Sequence, residues 1–405
     1  MKRYSKDFLI LFSGQTISNL GNQIYLIALP WLVYELTHSS FDMGTISAIM
    51  ALPDLLFALI IGTIIDRYNR KRILWIASFI QLIIVLIIPI LFITNMLEIY
   101  HIYITGFLYS SATLIFITCY RSCIPDLTDE DSLVEVNSLI QLSLTLIKMI
   151  GPLLAGIIIA NFGIVEGFMV DAFTYFLLII CIFNTKLPKE KVRKRNTFFF
   201  DDLKNGITFT LGSKILRYLI WLVLIVNIGM SIALSLMVFH LRGDGNLSAN
   251  QVGYVYSISG IFSLGFTLFA PKIARKMGSM SAISLACMIS GLGLLFIPFT
   301  QNIILKGITL GLITGGGTLG AIYINSMLQK QVPSEYLGRV FATTQMISRV
   351  SVPLALVVGG WGSETRFGVS GMFIISSFIV ILSTLGFYLK MKLVNDSKRK
   401  GEIQV

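Results

Sequence analysis

Long apolar stretches alternate with short polar gaps along the whole chain. Crossing the hydrocarbon core of a bilayer takes about 20 residues in a helix. Stretches of that order run near 8–34, 42–65, 73–94, 98–120, 134–160, 165–185, 214–240, 249–271, 280–299, 302–328, 338–360 and 368–389. The pattern predicts about twelve spans and an all-α polytopic membrane protein. The N-terminal apolar run follows basic residues, as in a signal peptide, but it is too long and lacks a small-residue cleavage site, so it counts as the first span.

The polar gaps are unequal. The longest, 186–213, divides the chain into an N-terminal six-helix bundle (1–185) and a C-terminal six-helix bundle (214–390), followed by a tail (391–405). The first part of the gap is basic, with Lys186, Lys189, Lys191, Arg193, Lys194 and Arg195. Its second part predicts a short amphipathic surface helix, with Asp201 or Asp202 near its start, Leu203, Ile207 and Leu211 at helical spacing, and Gly212 as a stop. The halves echo each other. Each has a basic turn after its second span, a proline–acid turn after its fourth (Pro125-Asp126; Pro333-Ser334-Glu335) and a proline inside its fifth, Pro152 and Pro353. Such duplication marks secondary transporters whose halves rock about a central site.

Composition agrees with this organisation. Residues are 55% hydrophobic and 13% charged, against roughly 25% charged in soluble domains. A net charge of +11 would suit nucleic acid, but its placement argues for topology instead. Roughly 27 of the 32 Lys and Arg fall on the side of the termini, and the opposite side has only Arg242, Lys306 and Arg366. By the positive-inside rule both termini are cytoplasmic, and no nucleic-acid partner is expected. The four cysteines and three histidines form no metal-ligand pattern. No nucleotide motif, cofactor site or nucleophile–base–acid set is present, which excludes an enzyme reading. The glycine run Gly311, Gly315, Gly316, Gly317 and Gly320 lacks the Lys-Ser/Thr ending of a phosphate loop and reads as close helix packing.

The sharpest local signal is the turn after the second span. Asp66, Arg67, Arg70 and Lys71 crowd together, with Gly62 one turn before the acid. Gly62 permits close helix approach. Asp66 can pair with a basic group or a helix N-terminus. The bases are expected to reach across to the other half and hold a cytoplasmic gate closed. Lys272, Arg275 and Lys276 form the second-half copy, where Pro271 stands in place of the acid. In the fifth span, Pro152 removes one helix hydrogen bond, and Gly151 and Gly156 permit tight packing and a bend.

The pattern Gly62-x-x-x-Asp66-Arg67-x-x-Arg70-Lys71 resembles the loop signature of the major facilitator superfamily. Further stretches resemble its drug:proton antiporter branch, which contains the macrolide efflux proteins and the enterobactin exporter: Arg121-x-x-Ile124-Pro125-Asp126-Leu127 with Glu135-Val136-Asn137-Ser138, Asp171 in Phe168–Ala172, Asp202-Leu203-x-x-Gly206-x-x-Phe209, and Val332-Pro333-x-Glu335-x-x-Gly338-Arg339-Val340. Gly151-Pro152-x-x-Ala155-Gly156 is similar to the superfamily's antiporter signature, departing from it at Ile147 and Ala155. The resemblance spans essentially the whole chain. It implies a twelve-helix fold of two pseudo-symmetric bundles, with the second and eleventh spans packed across the interface between them.

Charges inside spans are functional suspects. Asp54, Lys148 and Arg349 fall near mid-depth by position, and Asp171 in the outer third. Under the implied fold Asp54 and Arg349 meet, which makes Asp54 the first candidate for proton coupling and Asp171 the next. Gln15, Asn19, Asn22 and Gln23 on the first span, Asn227 on the seventh, and Tyr323 and Asn325 on the tenth suit either a polar cavity or ordinary interhelical hydrogen bonds. The expectation is a monomeric, multi-pass, proton-coupled exporter in the cell membrane. Its cargo is a bulky amphipathic small molecule, a macrolide-like drug or a siderophore, and its partners are substrate, protons and the bilayer. A proton-coupled nutrient importer on the same fold and a lipid scramblase are the rival readings.

Overall fold

The structure is a computed structural model and describes residues 5–129, 132–187 and 207–399. These are helical, and no strand occurs among them. In chain order the long helices are α1 (Lys6–Thr37), α2 (Ser40–Arg67), α3 (Arg70–Ile93), α4 (Ile99–Cys123), α5 (Leu133–Asn161), α6 (Ile164–Asn184), α7 (Lys214–Ser235), α8 (Ala249–Met277), α9 (Ser279–Phe296), α10 (Ile303–Gln331), α11 (Ser334–Val350), α12 (Val352–Ser363) and α13 (Gly368–Arg399). The eleventh span is two helices, α11 and α12. It breaks at Ser351, where Pro353 lies in the first turn of the following helix and has no N–H to continue the ladder. Of the expected surface helix, residues 207–212 are helical; Asp201, Asp202 and Leu203 lie outside the described residues.

Among the described residues, eleven helices are long and apolar enough to cross a membrane. The twelfth is α1, 32 residues long, whose middle is interrupted by Ser13, Gln15, Thr16, Ser18, Asn19, Asn22 and Gln23. Helix starts follow local chemistry. The side chains of Ser5, Asn69, Ser213 and Asn302 each accept a backbone N–H of the first turn they precede. α1 stops at His38, in the left-handed region at φ 49°. Leu, Ile, Phe and Trp side chains remain exposed along the outer faces, with Ile93, Phe173, Trp361 and Leu382 all more than half exposed. In water such surfaces would aggregate; in hydrocarbon they are at home.

The described residues form two compact units. One comprises the described parts of Met1–Lys194 together with Val238–Ser257; the other holds the described parts of Arg195–Met237 and Ile258–Val405. In the first unit α1 packs on α5 and α6, and α3 on α4 and α6. In the second, α7 packs on α12 and α13, and α9 on α10 and α13. The pairings correspond span for span, so the repeat seen in the sequence is a repeat of helix neighbours. α10 shows how glycine serves it: Gly307, Gly311 and Gly315, four residues apart, lie against Ile258, Phe262 and Phe266 of α8, while Gly316 faces α9. That is close helix packing, as the sequence suggested.

Candidate functional site

At the end of the first unit where α1 begins, the basic turn is bonded within its own bundle. Arg70, the first residue of α3, donates from Nη1 to the Ser122 carbonyl of α4 (2.9 Å) and to the carboxylate of Asp126 in the 3-10 turn that follows α4. Lys71 Nζ donates to the carbonyls of Phe183 and Thr185 at the end of α6, both at 2.8 Å. A cation placed on the last carbonyls of a helix satisfies otherwise unpaired acceptors and opposes the negative end of its dipole. Both cations thus tie α3 to neighbouring helix ends of the same unit. Ser5 and Asp7 join the lacework, with Ser5 Oγ donating to the Leu127 carbonyl (2.7 Å) and the Lys186 amide donating to Asp7 (2.7 Å). Gly62, Asp66 and Arg67 occupy the end of α2. Lys272, Arg275 and Lys276 are exposed near the end of α8, Lys272 lying 5.6 Å over the Phe269 ring.

Above this end lies a cavity of about 400 Å³ between α1, α4 and α5. Gln15, Asn19, Tyr120, Arg121, Asn137 and Gln141 give it a polar wall, and Phe12, Ile117 and Leu144 an apolar one. Gln15 donates to Asn19 (3.0 Å), orienting both amides. Arg121, in the last turn of α4, is the one charged side chain of the lining among the described residues. Sequence reasoning found Gln15 and Asn19 but did not single out Tyr120, Arg121 or Gln141 as a site. Arg121 was visible only as part of a turn motif, and nothing in the pattern aimed it at α1.

The remaining polar residues of α1 have other partners. Asn22 accepts from the hydroxyls of Tyr109 and Tyr175, and Tyr175 also meets Gln81 of α3 (3.0 Å). Beside this cluster Asp171 of α6 is fully buried. A β-carbon at Gly21 would lie 2.5 Å from its carboxylate. Neither carboxylate oxygen has a hydrogen-bond partner among the described residues, and the neighbouring Thr174 hydroxyl turns to the Asp171 backbone carbonyl (2.7 Å). Gln23 packs against Gly151.

The other intramembrane charges are spread out. Asp54 is half-buried in α2, Lys148 exposed midway along α5, and Arg349 exposed in the last turn of α11. Asp54 belongs to the first unit and Arg349 to the second. In the second unit Asn227 donates to the Ser348 carbonyl (3.4 Å) and Tyr323 to the Ala270 carbonyl (2.9 Å), so both serve interhelical hydrogen bonding. Asn325 is exposed.

At the opposite end of α1, Arg242 pairs with Glu35 (3.0 Å) and stacks 4.8 Å over Trp31. Nearby, α5 runs as one helix through Pro152, and its glycines make room. A β-carbon at Gly156 would lie 2.6 Å from the Ala249 carbonyl oxygen, and one at Gly253 would lie 2.8 Å from that of Pro152. Among the described residues no cluster of His, Cys, Asp or Glu is arranged to hold a metal.

A duplicated all-α membrane bundle with a polar cavity among its spans is the architecture of a solute carrier. Residues 11–355 match the model of the Major Facilitator Superfamily, and the chain belongs to that family of transporters. It is 26% identical to the staphyloferrin A transporter of Staphylococcus aureus (strain NCTC 8325 / PS 47), over 96% of this chain and 98% of that protein. It is 21% identical to macrolide efflux protein A of Streptococcus pyogenes, over 94% and 96%. Among solved structures, the nucleoside transporter NupG superposes with a TM-score of 0.77 at 13% identity, covering 96% of this chain and 99% of that one. That last likeness concerns the fold alone.

Proposed function

We propose that this chain is a proton-coupled exporter of an amphipathic small molecule, working by alternating access in the cell membrane with both termini in the cytoplasm. The observation that carries the reading is the α1/α4/α5 cavity, at the end of the bundle where α1 begins and the basic turn lies. By the distribution of Lys and Arg that end faces the cytoplasm, so the cavity is placed to load cargo from inside. A relative named for macrolide efflux supports the direction, and it and a relative named for staphyloferrin A transport support a small-molecule cargo.

Coupling is assigned to Asp54. It sits half-buried in a membrane span, where an ionisable side chain is a functional candidate by default. Gly62, Asp66 and Arg67 at the end of α2, with Arg70 and Lys71 bracing α3 beside them, form the cytoplasmic gate, with Lys272, Arg275 and Lys276 as its counterpart in the second half.

The test is efflux from cells lacking their own exporters, using a panel of drugs and siderophores with and without an uncoupler. Extrusion of at least one compound against its gradient is expected, abolished by the uncoupler and by Asp54→Asn. Uncoupler-sensitive uptake in place of extrusion would establish an importer. Energy-independent lipid mixing in liposomes would establish a scramblase.

A further inference from the structure

We infer that the α1/α4/α5 cavity is a subsite for an organic anion, with Arg121 as the group that holds the anionic head. The inference rests on the transporter reading and narrows its cargo. A cavity of about 400 Å³ falls within the range of small-molecule sites. Among the described residues its lining contains one charge, Arg121, and that side chain makes no ion pair among them. The nearest acid along α4 and its turn, Asp126, is taken by Arg70. A guanidinium offers a planar fork of donors that matches a carboxylate or phosphate two bonds at a time.

Two further atoms point to a ligand. Tyr120 and Gln15 are each more than nine-tenths buried, and both line the cavity. The Tyr120 hydroxyl and the Gln15 carbonyl oxygen have no hydrogen-bond partner among the described residues. A buried polar atom left unpaired is costly; both atoms are enclosed in the packing, and a small turn of either side chain brings it to a molecule in the cavity they line. The hydroxyl can donate to an oxygen of the anion beside Arg121, and the Gln15 oxygen can accept from a hydroxyl or amide of its body. Phe12, Ile117 and Leu144 receive the apolar part. A cationic amphipath would put its charge next to Arg121 with no acid among the described lining residues to offset the repulsion.

The experiment uses the full chain in nanodiscs, titrated with citrate, naproxen, inorganic phosphate and erythromycin, with binding read by calorimetry and melting temperature. At least one of the two carboxylates is expected to bind and to raise the melting temperature. Arg121→Gln is expected to weaken that binding at least tenfold, Arg121→Lys less, and Tyr120→Phe a few-fold. The unliganded melting temperatures should match that of the unaltered protein. Tighter binding of phosphate than of either carboxylate, again lost in Arg121→Gln, assigns the head to a phosphoryl group and leaves the anion site standing. Failure of all three anions to bind, equal binding by Arg121→Gln, or erythromycin binding unaffected by that change overturns the inference. A lowered unliganded melting temperature in Arg121→Gln with anion affinity intact also overturns it, by making Arg121 a helix-end cap. Efflux of a cation that survives Arg121→Gln would sink the subsite while the exporter reading stands. Anion binding without any transport would do the reverse.

Discussion

The two units share a packing plan and differ in what they bury. In the first, α1 and its neighbours enclose Asn22, Gln81, Tyr109, Tyr175 and the carboxylate of Asp171, and the bundle end is tied by Arg70, Lys71 and Asp126. In the second, polar groups are mostly hydroxyls turned to backbone. Ser290 donates to the Ile313 carbonyl (3.0 Å), Ser377 to that of Gly291 (2.7 Å) and Tyr323 to that of Ala270 (2.9 Å). Glycines of α10 bring the backbones close enough for this to suffice. A helix repeat thus dictates which spans touch, because neighbours are set by chain order and apolar faces. It does not dictate chemistry, which depends on a few positions that each copy fills differently. Arg70 has Asp126 to bond, whereas the bases of the second turn, Lys272, Arg275 and Lys276, lie exposed.

The contrast breaks most visibly at Gly316. A β-carbon there would lie 2.6 Å from the Ala286 carbonyl oxygen and 2.8 Å from the Ser290 amide. Gly316→Val should force α9 and α10 apart at a cost of about 1–3 kcal/mol or more, seen as a lower melting temperature and less folded protein in the membrane. Gly320, whose β-carbon would meet only the Ala286 β-carbon at 4.0 Å, is the control: Gly320→Ala should be neutral or gain a few tenths to about 1 kcal/mol from helix propensity. Equal damage at both positions would mean that α10 does not pack as described.

Next in size is the difference between the basic turns. Asp126→Ala frees Arg70 from its acid partner and should lower transport about tenfold, a change that needs only about 1.4 kcal/mol in the balance between inward-open and outward-open states. Lys272→Gln, at an exposed site without an ion pair among the described residues, should change transport less than twofold. Initial efflux rates normalised to protein in the membrane decide it. The comparison fails if the second turn proves the more sensitive.

The smallest effect is expected at Asp171→Asn. The carboxylate is enclosed and accepts no hydrogen bond among the described residues, so as an ion it contributes nothing favourable to folding. Asn has the same shape without the charge. Stability should be unchanged within about 1 kcal/mol, the melting temperature level or slightly raised, and the pH profile of transport should follow that of the unaltered protein, in contrast to Asp54→Asn. A displaced pH profile would move the coupling group from Asp54 to Asp171.

Much of this protein was determined by its sequence alone. Twelve membrane-length stretches, a duplicated order of spans and the Gly62–Lys71 signature are local or periodic features. They depend on the length of an apolar helix and on residues a few positions apart, so they can be read before any contact is known. The glycine run of α10 was legible in the same way, because spacing by four gives one helix face. Only the tertiary structure decided partners. Gln15, Asn19, Asn22 and Gln23 look alike in the sequence. Two line a cavity, one joins a buried tyrosine cluster and one packs on Gly151. Arg70 and Lys71 are adjacent cations, yet one finds the end of α4 and the other the end of α6. Each partner lies roughly 50 to 150 residues away along the chain. Helical period fixes the direction in which a side chain points along its own helix, but what stands there is set by how separate helices pack, and that packing brings Arg121 of α4 and Gln15 of α1 to one cavity.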